Sequence, residues 1–259
     1  ANVKRKFRGT VWFIEGDIKG CFDNIDHDLL MKAVRYHQPP AWVVLYIERW
    51  LKAPVQMEDG TLVRRTKGTP QGSVISPLLA NLFLHYALDD WMRRNLPHIQ
   101  FERYADDIIL HCESRDQSES ALEAVRERLR ECHLELHPTK TKIVYCLQDG
   151  RNEQHELHCF DFLGYTFRPR GALGSRNEVF TGFLPAMSNQ AAKKVRDTMR
   201  SWRLPSRWAT RPLEEIARFV NPILRGWWNY YGQYYRSRAV AVLGKVNDLL
   251  VRWARRKYR

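Results

Sequence analysis

The sequence predicts an α+β fold followed by an all-helical region. Over the first two-thirds of the chain, short apolar runs bounded by turns alternate with segments of helical periodicity. The order of strand, helices, hairpin, helix and strands suits an antiparallel sheet with helices on one face. Beyond about residue 184 the pattern is helical and rich in Trp, Tyr and Arg. We therefore expect two domains, 1–175 and 176–259.

The first domain begins with a predicted strand over residues 10–17, an apolar run that ends in an acid. Pro40 suits the first turn of a helix, and Glu58-Asp59-Gly60 is typical of a short hairpin. Apolar residues four apart in 117–132 indicate an amphipathic helix. The predicted elements are a strand over 10–17, helices over 28–36 and 40–50, a hairpin over 55–64, a turn at 69–72, a helix over 75–95, a hairpin around 104–107, a helix over 117–132, and strands over 143–146 and 160–167.

The second domain follows residues that are typical of a linker, Pro169-Arg170-Gly171 and Gly174-Ser175. Asn221-Pro222 fits a helix start, with Asn as the N-cap and Pro as the first helical residue. The last segment carries an apolar stripe at helical spacing, formed by Val242, Val246, Leu249 and Trp253.

The charge of the chain favours a polyanionic partner. Lys and Arg number 42 and Asp and Glu number 29, which gives a net charge of +13. Nucleic acid and an anionic membrane surface are both candidates. No apolar run approaches the roughly 20 residues of a membrane span, and no secretory signal is visible. The five cysteines form no CxxC pair, which argues against a disulfide framework or a zinc site and for a reducing compartment.

The acidic pair Asp106-Asp107 is the strongest functional signal. It lies between apolar runs and is expected at the tip of a hairpin. Adjacent carboxylates repel each other, and a hard cation such as Mg²⁺ would neutralise them; a solvated polar turn is the alternative. Asp17 ends the first strand, and if that strand lies beside the hairpin, three carboxylates could hold two metal ions for an in-line displacement. A second pair, Asp89-Asp90, is expected on a solvated helix face, paired with nearby Arg.

Several ordered motifs resemble those of reverse transcriptases, and in particular the group II intron-encoded reverse transcriptase and maturase branch. The helical tail resembles the thumb, or maturase domain X, of that family. These motifs are Asp17 with Phe22, Thr69-Pro70-Gln71-Gly72-Ser73, Tyr104-Ala105-Asp106-Asp107, Leu136-His137-Pro138-Thr139-Lys140-Thr141-Lys142, Phe162-Leu163-Gly164-Tyr165, and Pro222-Ile223-Leu224-Arg225-Gly226-Trp227-Trp228-Asn229-Tyr230-Tyr231.

The resemblance implies a right-hand polymerase palm, with little or no fingers region before Asp17, followed by a helical thumb. It implies that Asp17, Asp106 and Asp107 bind two Mg²⁺ ions, helped by the backbone carbonyl of Ile18. Three of the positions below have an alternative explanation: core packing for Phe22, a plain turn for Gln71, and a solvated basic loop for Lys140. The residues implied at the nucleotide and primer–template are Phe22 as a gate against the 2′-hydroxyl, Gln71 and Gly72 near the nascent base pair, Tyr104 at the primer end, and Lys140 near the leaving pyrophosphate.

A thumb must hold nucleic acid without reading its sequence, which suits arginines and aromatic residues. Core packing explains about half of the aromatic residues, so the arginines are the better candidates for RNA contact. These are Arg203, Arg207, Arg225 and Arg236.

The implied function is that of an RNA-dependent DNA polymerase that also binds group II intron RNA to promote splicing and retrotransposition. Its implied partners are template RNA, a DNA primer, deoxynucleoside triphosphates, the intron RNA and target DNA. We expect a cytoplasmic ribonucleoprotein, with an organelle as the alternative. Two other functions stay open: a splicing cofactor without polymerase activity, and a reverse transcriptase recruited to CRISPR or phage defence.

Overall fold

The structure is a computed structural model, which describes residues 11–70, 72–146, 155, 157–173 and 179–258. Packing divides the chain into two units, Ala1–Tyr145 and Cys146–Arg259. The functional division near residue 175 stays a prediction.

The first unit is built on a four-stranded antiparallel sheet in the order β4-β5-β1-β6. The two strands that carry the predicted acids, β1 and β5, are neighbours at the centre of that sheet. A separate two-stranded hairpin, β2-β3, matches the predicted one. The strands are β1 Trp12–Asp17, β2 Val55–Gln56, β3 Leu62–Val63, β4 Gln100–Tyr104, β5 Asp107–Cys112 and β6 Lys142–Tyr145.

Helices accompany the sheet of the first unit, and one of them packs directly against its central strands. The buried stripe of Ala121, Val125 and Leu129 lies on the helix that packs against β1 and β5, as its spacing predicted. The predicted helix over 75–95 is continuous but contains a five-residue π-helical turn, His85–Asp89. The α-helices are α1 Cys21–Asn24, α2 His27–Tyr36, α3 Ala41–Lys52, α4 Ser76–Leu84, α5 Asp90–Asn95 and α6 Arg115–Glu131.

The second unit combines a three-stranded antiparallel sheet, β7-β8-β9, with five helices in its described residues. Its core includes Val195, Met199, Ile216 and Trp253, all buried in one hydrophobic cluster. The elements are β7 Phe160–Phe162, β8 Tyr165–Leu173, β9 Val179–Met187, α7 Asn189–Ser201, α8 Leu204–Arg207, α9 Leu213–Tyr231, α10 Arg236–Leu243 and α11 Lys245–Lys257.

Two predictions about the strands of the second unit are wrong. Residues 160–167 form two strands rather than one, because Leu163 and Gly164 both adopt positive φ angles and close a two-residue hairpin. Pro169-Arg170-Gly171 lies inside β8 instead of forming a linker. β7 pairs with β8 only as far as Phe167, so the missing N–H of Pro169 can face an open edge. Gly174-Ser175 lies outside the described residues.

The predicted helix start at Asn221-Pro222 is also wrong, since Pro222 lies inside α9. Pro interrupts the backbone hydrogen bonds of a helix. The buried side chains of Ile216 and Val220, which precede Pro222 in the same helix, anchor α9 in the core and outweigh that local preference.

No helix in the described part of the chain is long and apolar enough to cross a membrane.

Candidate active site

The register of the central strands brings two of the three predicted carboxylates together. β1 and β5 are antiparallel, and Asp17 is the direct partner of Asp107 in that pairing. Asp106 precedes β5 in the turn between β4 and β5. The structure therefore places all three acids at one end of the sheet, as the sequence predicted.

The turn that carries Asp106 has a strained backbone conformation. β4 ends at Tyr104 and β5 begins at Asp107, so Ala105 and Asp106 form a two-residue loop. Ala105 has φ of +54°, in the left-handed region that residues with a Cβ adopt at a cost of about 1–2 kcal/mol. Arg103 restrains this loop, because its Nη1 donates to the Ala105 carbonyl at 2.9 Å.

Arg103 is in turn held by Asp89, the last residue of the π-helical turn. Nε and Nη2 of Arg103 each donate to one oxygen of the Asp89 carboxylate at 2.6 Å. The side chains are only 10% and 13% exposed. The expectation of a solvated face is thus wrong for Asp89, while Asp90 pairs at 2.6 Å with the exposed Arg94, as expected.

A second arginine stabilises the π-helical turn from the other side. Nε of Arg128, on α6, donates to the carbonyl of Ala87 at 2.9 Å, and Nη2 donates to the carbonyl of Tyr86 at 3.3 Å. Two backbone carbonyls of the π-helical turn thus accept from one guanidinium. The orientation of Asp89 is therefore fixed by the turn that Arg128 stabilises.

Lys140 lies beside the first carboxylate. Its Nζ is 3.2 Å and 3.3 Å from the two oxygens of Asp17. The loop that carries Lys140 is fixed to β1, because the His137 N–H donates to the Asp17 carbonyl at 2.7 Å. The structure thus brings Lys140 to the acid cluster, although its place near a pyrophosphate stays a prediction.

The acids create an excess of negative charge at this end of the sheet. Desolvation by the surrounding strands raises the pKa of Asp107, and the charges of Asp106 and Asp17 raise it further, while Lys140 opposes them. Burial, with a contribution from Asp106, raises the pKa of the Cys21 thiol to about 12. A bound cation would relieve this repulsion.

The donor chemistry fits Mg²⁺, since carboxylate and carbonyl oxygens are the ligands it takes in proteins. In the described ranges, no three His, Cys, Asp or Glu side chains are grouped in an arrangement that could hold a metal ion. Metal binding by Asp17, Asp106 and Asp107 therefore stays a prediction. The same holds for the carbonyl of Ile18, a buried residue that bridges to Leu136.

Two of the segments predicted to lie at the nucleotide are hydrogen-bonded to each other. The Thr69 N–H donates to the Phe22 carbonyl at 2.7 Å, so the predicted gate and the predicted turn are one packed unit. Thr69 is fully buried. Gly72 has φ of +83° and open space where a Cβ would lie, which leaves room for a close ligand. Gln71 lies outside the described residues.

Tyr104 is 63% exposed at the end of β4, directly opposite Asp107 in the strand register. Its side chain is therefore accessible beside the acids, and its contact with a primer end stays a prediction.

The four arginines predicted to bind RNA are all exposed and all lie in the second unit. Arg203 precedes α8, Arg207 ends it, Arg225 is in the middle of α9, and Arg236 begins α10. Arg207 shares a groove with Arg211 and Arg218. Arg203 and Arg207 are one helical turn apart, since the Arg207 N–H donates to the Arg203 carbonyl at 2.9 Å.

Sequence reasoning expected Asp89 to pair with a nearby Arg but missed Arg103 as the partner. Fourteen residues separate them, and no spacing rule connects a strand residue to a π-helical turn. It also missed Arg168, Arg170 and Arg238, which converge only through tertiary structure. The sole signal in the sequence was the position of Arg103 directly before Tyr104.

Two family models of known proteins match this chain, one over its N-terminal part and one over its C-terminal part. Residues 2–167 match the family model described as "Reverse transcriptase (RNA-dependent DNA polymerase)". Residues 192–259 match "Group II intron, maturase-specific domain".

Three similar proteins come from fungi and bacteria. An uncharacterized 91 kDa protein in the cob intron of Schizosaccharomyces pombe is 28% identical over 89% of this chain and 36% of its own length. The group II intron-encoded protein LtrA of Lactococcus lactis is 46% identical over 32% of this chain and 14% of its own. YkfC of Escherichia coli is 31% identical over 66% of this chain and 50% of its own. The chain thus spans half or less of each of these relatives.

Among solved structures, telomerase from Candida albicans superimposes with a TM-score of 0.52 and 13% identity. The match covers 100% of this chain and 46% of the telomerase chain. At that identity the similarity shows the fold alone, which is that of the polymerase right hand.

Proposed function

The chain belongs to the reverse transcriptase family, and we propose that it acts as an RNA-dependent DNA polymerase. The observation that carries the proposal is the register of β1 and β5, which pairs Asp17 with Asp107 and leaves Asp106 in the adjoining turn. Three carboxylates at one sheet end, with a net charge of +13 on the chain, suit nucleotidyl transfer on a polyanion.

Asp17, Asp106 and Asp107, with the carbonyl of Ile18, would hold two Mg²⁺ ions. When bound, these ions supply the positive charge that lowers the pKa of a primer 3′-hydroxyl and stabilises the leaving pyrophosphate. The primer 3′-oxygen forms a bond to the α-phosphorus of a deoxynucleoside triphosphate as the bond to pyrophosphate breaks.

The chain's own residues position the reactants. Lys140, whose ammonium lies against Asp17, carries an exposed positive charge suited to the pyrophosphate. Phe22 would contact the sugar of the incoming nucleotide and exclude a 2′-hydroxyl, and Tyr104 would contact the primer end. Gln71 and Gly72 would lie at the nascent base pair, where the missing Cβ of Gly72 permits close approach.

Primer extension on an RNA template tests this proposal. We expect Mg²⁺-dependent incorporation of deoxynucleotides, and a loss of at least about 100-fold for Asp106→Asn. Asp90→Asn is the matched control, since it removes the same charge from an exposed ion pair on α5. Synthesis by Asp106→Asn at the rate of the control would refute the assignment of the carboxylates.

A second function, the binding of intron RNA to promote splicing, is favoured by the maturase-specific match over residues 192–259. The exposed Arg203, Arg207, Arg225 and Arg236 lie within that segment and supply positive charge suited to phosphate contacts. Group II intron RNA is the proposed partner.

A splicing assay separates the two functions. Splicing should survive Asp106→Asn and weaken in Arg225→Ala, with Arg200→Ala as a control because Arg200 is exposed and paired with Asp197. Equal splicing by the two arginine variants would contradict a role for Arg225. Loss of splicing in Asp106→Asn would contradict separate functions.

A further inference from the structure

Three arginines line one cavity in the second unit. Its volume is about 390 Å³. Arg168 and Arg170 are two residues apart on β8 and so lie on the same face of the strand. Arg238 reaches the cavity from the first turn of α10. None of the described residues that line the cavity is an Asp or Glu.

Neutral groups hold two of the three guanidinium groups, those of Arg170 and Arg238, in place. Arg170 donates from Nε to the Leu184 carbonyl at 3.2 Å and from Nη2 to the Thr166 carbonyl at 3.4 Å. Its guanidinium carbon lies 5.0 Å from the centre of the Tyr235 ring. Arg238 donates from Nη2 to Oδ1 of Asn189 at 2.7 Å. Each guanidinium has five N–H donors, so these bonds orient the arginines and leave further donors for a ligand.

Among the described residues, no carboxylate compensates the positive charge of this cluster. In the part of the chain that the structure describes, none of the three arginines forms an ion pair with a carboxylate. Burial lowers the pKa of Arg170, and the positive charges of Arg168 and Arg238 lower it further, while Tyr235 opposes them. Tyr235 and Ser237, where α10 begins, also line the cavity, so the positive end of the helix dipole lies on the same side as the arginines.

We propose that this cavity, here named the arginine cavity, binds a phosphate group of a nucleic-acid backbone. Arginine forks match phosphate oxygens, and a single sugar-phosphate fits the available volume while a duplex does not. The cavity would grip the strand independently of sequence, because phosphate carries no base information. The choice of nucleic acid as the source of the phosphate rests on the proposed function.

Salt-dependent binding tests the proposal on the full chain. The double variant Arg168→Gln/Arg238→Gln leaves Arg170 and its carbonyl bonds intact. The matched control Arg115→Gln/Arg200→Gln removes the same charge from two exposed ion pairs outside the cavity. The probe is a labelled RNA–DNA primer–template, with affinity measured by fluorescence anisotropy at several salt concentrations.

We expect the cavity variant to bind about tenfold more weakly than the control. We expect the slope of log affinity against log salt to fall by about 1, as for loss of one phosphate contact. Arg168→Lys/Arg238→Lys should keep the slope but bind more weakly than wild type, since Lys keeps the charge and loses the fork. Slopes and affinities of the Gln variant equal to those of the control would overturn the proposal.

Two further arms separate the sources of phosphate and the two proposals. In the first arm, inorganic phosphate is added and the melting temperatures of wild type and the Gln double variant are compared. If phosphate raises only the wild-type melting temperature while both proteins bind nucleic acid equally well, the nucleic-acid assignment is overturned. If the wild type extends a primer but the Gln double variant keeps the salt slope of the control, phosphate binding by the cavity is refuted and the polymerase proposal stands. If the Gln double variant has the smaller salt slope but the wild type extends no primer, the polymerase proposal is refuted and phosphate binding by the cavity is supported.

Discussion

The bidentate pair between Arg103 and Asp89 is expected to be the main restraint on the turn that carries Asp106. The perturbation is Asp89→Asn, which keeps the shape of the side chain and removes its charge. Because both side chains of the pair are almost buried, at 10% and 13% exposure, the guanidinium would lose its counter-charge where water cannot replace it. Breaking a buried pair by removing one partner costs about 3–5 kcal/mol.

Asn retains one acceptor oxygen, so we expect Asp89→Asn to cost about 3 kcal/mol, the lower end of that range. Asp90→Asn is the control one residue away. It breaks a pair whose arginine is 75% exposed, so it should cost less than about 1 kcal/mol. With a urea m-value of about 3 kcal/mol/M, the midpoint of unfolding should fall by about 1 M for Asp89→Asn. The Asp90→Asn midpoint should shift by a few tenths of that.

Tryptophan fluorescence in urea measures the midpoints, and hydrogen exchange of the amides in β4 and β5 shows whether the turn itself loosens. Since Arg103 also donates to the Ala105 carbonyl, primer extension by Asp89→Asn should need more Mg²⁺ for half-maximal rate than the control needs. The double variant Arg103→Gln/Asp89→Asn should be less destabilised than the sum of its single variants. Equal midpoints for Asp89→Asn and Asp90→Asn, with additive double-variant effects, would refute the reasoning.

Three further predictions concern the same unit and the cysteines. Gly68→Ala should cost much more stability than Gly72→Ala in urea unfolding: both have positive φ, but only at Gly68 would the Cβ meet the Asp23 carbonyl, at 2.6 Å, and equal costs would contradict this. Asp107→Asn should raise the free energy of unfolding at pH 7 in the absence of divalent ions. The raised pKa of Asp107 means that the folded state binds the proton more readily than the unfolded state, so the wild type loses stability as pH rises through that pKa. The stability gained by the Asn variant should therefore vanish below the ordinary aspartate pKa of about 3.9. A gain independent of pH would contradict the electrostatic cause. Native alkylation followed by mass spectrometry should modify the exposed Cys159 before the four buried thiols, and faster labelling of any buried thiol would contradict their burial.

The sequence by itself determined the order of most elements in the first unit. The strand ending at Asp17, the helix with its buried stripe and the hairpin of Asp106 and Asp107 follow from local periodicity and turn composition. The family followed from ordered motifs, because each motif is local and the series is specific. The adjacency of β1 and β5 was a hypothesis in the sequence, and the structure confirmed it.

Other features needed the tertiary structure. Pro222 stays inside α9 and Pro169 inside β8, because core packing and an open sheet edge outweigh their local tendency to end elements. The residues that hold the acidic turn were also invisible in sequence, since Arg103 meets Asp89 only across a π-helical turn.

The arginine cavity shows the same limit. Arg168 and Arg170 stand in a segment whose composition is typical of a linker, and Arg238 is about seventy residues away along the chain. Local patterns determine which segments become strands and helices, because periodicity and turn chemistry act over a few residues. Which charges converge depends on contacts between distant segments, and only the packed second unit decided that.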